Sequence, residues 1–212
     1  MGILSDLWDA TCSCVRSCCS KIGSAINAVS SSLAEIAKPL LEVVARLPEV
    51  LIKAVVATIH SIAVALGIVE DKVEPEEIGV RALEYPEVKP ENYDTYEEYI
   101  NALMEKDFDF ESWEKNASVE EKATATVLGS SLEAKAVAEK IGMNIPIVVY
   151  LTAHNNGYTP KELQKAFESL KANGISDAGV ITSYFNGDLK GEMNEKVGAI
   201  LGEAKMPEVT KQ

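Results

Sequence analysis

The stretch VLIKAVVATIHSIAVALGIV, residues 50–69, decides how the rest of the chain is read. Over 20 residues only Lys53, Thr58, His60 and Ser61 interrupt the apolar run. As a helix rising ~1.5 Å per residue, such a stretch matches the ~30 Å hydrocarbon core of a bilayer. It equally suits a helix covered on all sides by neighbours in a bundle. Ala57, Ser61 and Ala65 recur at every fourth position and form a small-residue face on which another helix can pack closely. Lys53, one turn from the end, can snorkel to an interface, whereas His60 near the middle is costly in hydrocarbon unless paired.

Upstream, Ile22, Ile26, Val29, Leu33, Ile36, Leu40, Val43, Leu47 and Val50 step by four and three. That spacing lays one apolar stripe along a helix. Pro39 and Pro48 cut across the stripe, so short helices are expected near 22–37, 40–47 and 49–69. The stripe together with Ala57, Ser61 and Ala65 is the candidate surface for a membrane or a protein partner, through residues 22–69. Lys38, Arg46 and Lys53 precede the apolar run, which favours an N-terminus on the cytoplasmic side if the run spans. The run begins too late, without a basic leader or a clear cleavage site, to read as a secretory signal.

All four cysteines, Cys12, Cys14, Cys18 and Cys19, fall within residues 11–20, TCSCVRSCCS. On a helix Cys12 and Cys19 share one face while Cys14 and Cys18 lie nearly opposite. One helix therefore cannot offer all four to a tetrahedral metal, and the C-x-C-x3-C-C spacing fits no common zinc framework. Lipidation and disulfide formation are the reactive alternatives. The favoured reading is cysteine as a small apolar residue. Serine stands at position 5 rather than at the sixth position where the N-myristoylation pattern needs serine or threonine, so that pattern fails.

Charge divides the chain unevenly. Residues 1–72 carry a net −1, residues 73–121 a net −12, and residues 122–212 a net zero, for −13 in all. Nucleic acid is excluded as a partner, because no basic patch offsets this charge. The acidic stretch contains Pro75, Pro86 and Pro90, yet Tyr93, Tyr96, Tyr99, Ile100, Leu103 and Met104 recur at helical spacing. One short helix is expected there, over 95–105, flanked by extended loops.

Ser118 with Glu121 three residues later is a capping box, and Gly142 a stop, so a helix is expected over 119–141. Pro146 opens a second, since Ile145–Thr152 as a strand would have no partner. Thr159 and Pro160 open a third that ends at Gly174, and 176–187 and 188–204 supply two more. HNNGYTPKEL resembles half of a calcium loop, but no acidic residue falls at a ligand position.

The expected fold is all-α, with a hydrophobic helical region over 1–72, an acidic segment over 73–117 and a small helical bundle over 118–212. No nucleophile, phosphate-loop or metalloprotease pattern occurs, so no catalytic, cofactor-binding or metal residue is assigned and no enzyme is expected. The function expected is non-enzymatic attachment to a membrane through the N-terminal helices, otherwise cytoplasmic, with homo-oligomerisation. An alternative is a soluble assembly or adaptor protein using the same helices. A third is an acid-triggered inserter with His60 as its pH switch. If His60 sat neutral and alone in a core, protonation near pH 6 would loosen it.

Overall fold

The computed structural model describes residues 3–205, with side chains from Thr11 onward except those at 12, 13, 16 and 17. Among the described residues the chain is all-helical, with no β-strand. Eleven α-helices follow in order: α1 (Ile3–Val29), α2 (Ser31–Val44), α3 (Glu49–Ala65), α4 (Pro75–Glu84), α5 (Tyr96–Met104), α6 (Phe110–Asn116), α7 (Val119–Ile141), α8 (Ile147–Asn155), α9 (Pro160–Ala172), α10 (Gly179–Phe185) and α11 (Gly191–Ala204). A single 3-10 turn, Pro90–Asn92, precedes α5.

The N-terminal breaks differ from those the prolines suggested. Helix α1 runs through the cysteine cluster without interruption and ends at Ser30, which is extended and accepts the Leu33 amide through its side chain. Pro39 lies inside α2 on its exposed side, where water can satisfy the carbonyl one turn back that its missing N–H leaves free. Helix α3 stops at Ala65 rather than running to 69. Gly67 turns left-handed at φ 68°, and Ile68 donates back to the Ala63 carbonyl at 2.9 Å. This closes the helix and tucks Ile68 and Val69 into the core beyond its end. At 17 residues α3 is about 25 Å long. Among the described residues no helix is long and apolar enough to cross a membrane.

The helix surrounded by all its neighbours is α7, not α3. Thirteen consecutive residues of α7, Lys122 to Ala134, are buried, whereas α3 leaves Ala57, Ser61 and Ala65 exposed. Small side chains make this possible. Ala123, Thr124, Ala125, Thr126, Gly129, Ser130, Ser131 and Ala134 take little room, so neighbouring helices close in around the α7 backbone. Most of its hydroxyls find partners within the helix. Thr124 donates to the Glu120 carbonyl at 2.7 Å, Thr126 to Lys122 at 2.8 Å and Ser131 to Val127 at 2.7 Å.

Helices α1, α2, α3, α4 and α5 all pack on α7, so residues from the apolar and acidic stretches share its surface. The closest approach is to α4, a helix hidden in the sequence by its charge and by Pro75. Farther along, α8 packs on α3 and α10, while α9 packs on α11 and α3. The loops before α8 and before α10 are tied together at Asn144, whose amide donates to the Ser176 carbonyl and whose carbonyl accepts from Ala178, both at 2.8 Å.

Candidate functional site: a histidine–glutamate pair in the core

Of the polar residues buried beside α7, one pair stands apart chemically. His60 projects from α3 five residues before its end, and Glu133 from the third turn before the end of α7. His60 Nδ1 lies 2.7 Å from Glu133 Oε1, with the imidazole 17% exposed and the carboxylate 0%. The histidine that the apolar run made costly is thus paired, by a residue 73 positions away. The second carboxylate oxygen, Oε2, has no hydrogen-bond partner within the protein, and neither have the buried hydroxyls of Ser130, on the preceding turn of α7, and Tyr150 on α8. Each such group costs roughly 1–3 kcal/mol while it stays unsatisfied.

The electrostatics of the pair follow from this burial. The hydrogen bond to Glu133 pushes the His60 pKa above its ordinary value; burial opposes it, and the charges of Glu133, Glu74 and Asp71 add to the rise. Burial also pushes the Glu133 carboxyl upward, with the His60 contact holding it down in part. Burial raises the Tyr150 hydroxyl as well, and the Glu133 charge adds to that. The direction of any switch at His60 is therefore opposite to the acid release expected of a lone neutral histidine. Acid supplies the charge that Glu133 needs.

A second ionisable group lies on the α4 side. Glu76, with one buried oxygen lacking a partner, is pushed up to about 7 by burial; Lys122 lowers it, while Glu114 and Glu74 raise it. One helix turn on, Arg81 is buried and pairs with Glu77 at 2.7 Å, donates to the Lys106 carbonyl, and lies over the Phe108 ring. This anchors the loop after α5 to α4.

The residues singled out in the sequence distribute as follows. Of the stripe, Ile22, Ile26, Leu33, Ile36, Leu40 and Leu47 are buried within this chain, Val43 is half-buried, and Val29 and Val50 are exposed. Much of the apolar area that an oligomer or membrane contact would use is therefore already covered in this form. Cys14 is buried and Cys18 and Cys19 half-buried; none of the three is in a disulfide, and the Cys12 side chain lies outside the described residues. Burial, reinforced by a hydrogen bond with Cys18, pushes the Cys14 thiol up to about 11, and burial raises Cys19, which donates to the Val15 carbonyl at 2.7 Å. Both stay protonated at neutral pH, as suits cysteines packed as small apolar residues. Among the described residues no group of three or more histidine, cysteine or acidic side chains could hold a metal ion.

A carboxylate holding one nitrogen of an imidazole is half of what a catalytic triad requires. The charges that reach the ring beyond that of Glu133 are those of Asp71 and Glu74, both carboxylates. What the pair can do is hold or release a proton inside a helix seam. No protein-family model, curated protein or solved structure matches the chain. The fold and the pair define a class in physical terms: an all-helical protein with an ionisable pair held between its most apolar helix and its central one.

Proposed function

We propose that this is a non-enzymatic protein that engages a membrane through its N-terminal helices, which the structure holds folded against α7, while the acidic stretch faces water. The observation that supports this reading is the composition of the α3–α7 seam. The most apolar helix of the chain lies against one carrying Glu133, whose second carboxylate oxygen is buried without a partner, and, one turn before it, Ser130, whose buried hydroxyl is likewise unpartnered. Such a seam is weaker than an apolar one of equal area. A bilayer offers α3 and the stripes of α1 and α2 an environment without those penalties. Because α3 is only 17 residues long, the contact in this reading lies along the bilayer interface rather than through it.

Flotation of the full chain with liposomes tests the reading. Binding is expected to zwitterionic phosphatidylcholine vesicles, and less to vesicles containing phosphatidylglycerol, because the chain carries −13. His60→Ala, which weakens the seam, is expected to raise the bound fraction. Recovery of wild type and His60→Ala entirely in the lipid-free fraction with both vesicle types would refute it.

A further inference from the structure

We propose that His60 and Glu133 form a proton-held latch on the α3–α7 seam, closed while the pair keeps a proton and released when it is lost. The latch rests on the membrane reading for the purpose of its opening, but it is a property of the closed fold and can be tested without lipid. Three features of the geometry carry it. The contact is short, 2.7 Å, and joins the most apolar helix to the central one around which the others pack. Glu133 is wholly buried and its second oxygen has no protein partner, so His60 is the group that compensates its charge. The imidazole edge keeps 17% exposure, giving the proton a path to water without prior unfolding.

The titratable groups around the pair are Asp71 and Glu74, from the turn after α3 and the start of α4, and Tyr150 from α8. The two carboxylates favour a charged imidazole and strengthen proton retention; burial keeps the Tyr150 hydroxyl protonated. His60, raised in the fold, contributes stability that is fully present below its unfolded pKa, about 6.5, and is lost as pH rises through the raised value. Beyond that point Glu133 stays ionised in the core with no cation beside it. The latch is therefore firm in mild acid and loosens in alkali.

Hydrogen exchange of the full chain at pH 6.0 and pH 8.5, corrected for the intrinsic pH dependence of amide exchange, tests this. Glu76→Gln is present in every sample, the wild-type reference included, so that the other carboxyl raised towards neutral pH does not titrate. Amides of α3 are expected to lose at least tenfold protection at the higher pH, while those of α11 keep theirs. Glu133→Gln keeps the shape and a hydrogen-bonding group without the charge, so α3 should be equally protected at both values. His60→Gln leaves Glu133 without its cation, lets burial raise the carboxyl further, and should lower the protection of α3 already at pH 6.0. Flat protection of α3 in wild type would overturn the latch, as would an unchanged pH dependence in Glu133→Gln or unchanged protection at pH 6.0 in His60→Gln. Flotation would then still decide the membrane reading, since it does not depend on these outcomes.

Discussion

Gly79 of α4 rests directly on the backbone of Ala125 in α7: a Cβ at position 79 would lie 1.8 Å from the Ala125 carbonyl oxygen. The contact is reciprocal, for a Cβ on Gly129 would lie 1.7 Å from the carbonyl oxygen of Pro75. No rotamer change relieves a clash with backbone, so an added methyl must force the helices apart. Gly79→Ala and Gly129→Ala should each destabilise by at least about 3 kcal/mol in urea unfolding, despite alanine's better helix propensity. Gly202→Ala in α11, where nothing lies within 4 Å, is the matched control and should stabilise by about 0.5–1 kcal/mol.

The apolar stripe offers a second comparison. Leu40 is fully buried against the chain's own core, whereas Val50 is 66% exposed. Leu40→Ala should cost about 2–5 kcal/mol through lost burial and a residual cavity. Val50→Ala should change stability by less than about 0.5 kcal/mol. Both measurements should be independent of protein concentration. A concentration-dependent loss for Leu40→Ala would mean that the stripe is covered by a second copy instead.

How much of this was legible in the sequence depended on where the signal lay. Helix α7 was readable to the residue because its signals are local: Ser118 and Glu121 form the capping box, and Gly142 takes the left-handed conformation at the end. Thr159 and Pro160 announced α9 in the same way. Helix α4 was missed because Pro75, Glu76 and Glu77 look like a charged loop, although proline and acids in a first turn are also how a helix begins. The identity of the central helix was missed for another reason. Hydropathy rewards large apolar side chains, whereas a helix enclosed on all sides needs small ones, and α7 is built of alanine, threonine, serine and glycine. Half of the candidate site was visible as an anomalous His60. Its partner was not, since a glutamate in a helix ordinarily faces water and no spacing rule links positions 60 and 133.

The capping box of α7 makes a prediction of its own. The Ser118 hydroxyl accepts from the Glu121 amide at 3.2 Å, and Glu121 Oε2 accepts from the Ser118 amide at 2.7 Å. Ser118→Ala leaves an orphan donor in the first turn of the helix that most others pack on. It should cost about 1 kcal/mol, read as a lower midpoint in urea with an unchanged slope. A changed slope would mean that the first turn of α7 helps set the compactness of the whole chain.

Glu76 provides the clearest pH dependence. Burial places its carboxyl at about 7 in the folded chain, against an ordinary value of 4.5. Because the folded value is the higher one, the native state binds the proton more tightly, and stability must rise as pH falls through 7. At pH 8.5 the ionised group costs the fold on the order of 3 kcal/mol, an upper figure because Lys122 remains beside it. Wild type should therefore unfold at a lower urea concentration at pH 8.5 than at pH 6.0. Glu76→Gln removes the ionisation while keeping the shape. It should gain about 1–3 kcal/mol over wild type at pH 8.5 and less at pH 6.0, with the two urea midpoints converging only as pH falls to the ordinary carboxyl value of 4.5. The His60–Glu133 pair pushes in the same direction, so some slope will survive in Glu76→Gln and should shrink further in a Glu76→Gln/Glu133→Gln double variant. An identical midpoint difference between pH 6.0 and 8.5 in wild type and Glu76→Gln would show that Glu76 is not the group being titrated.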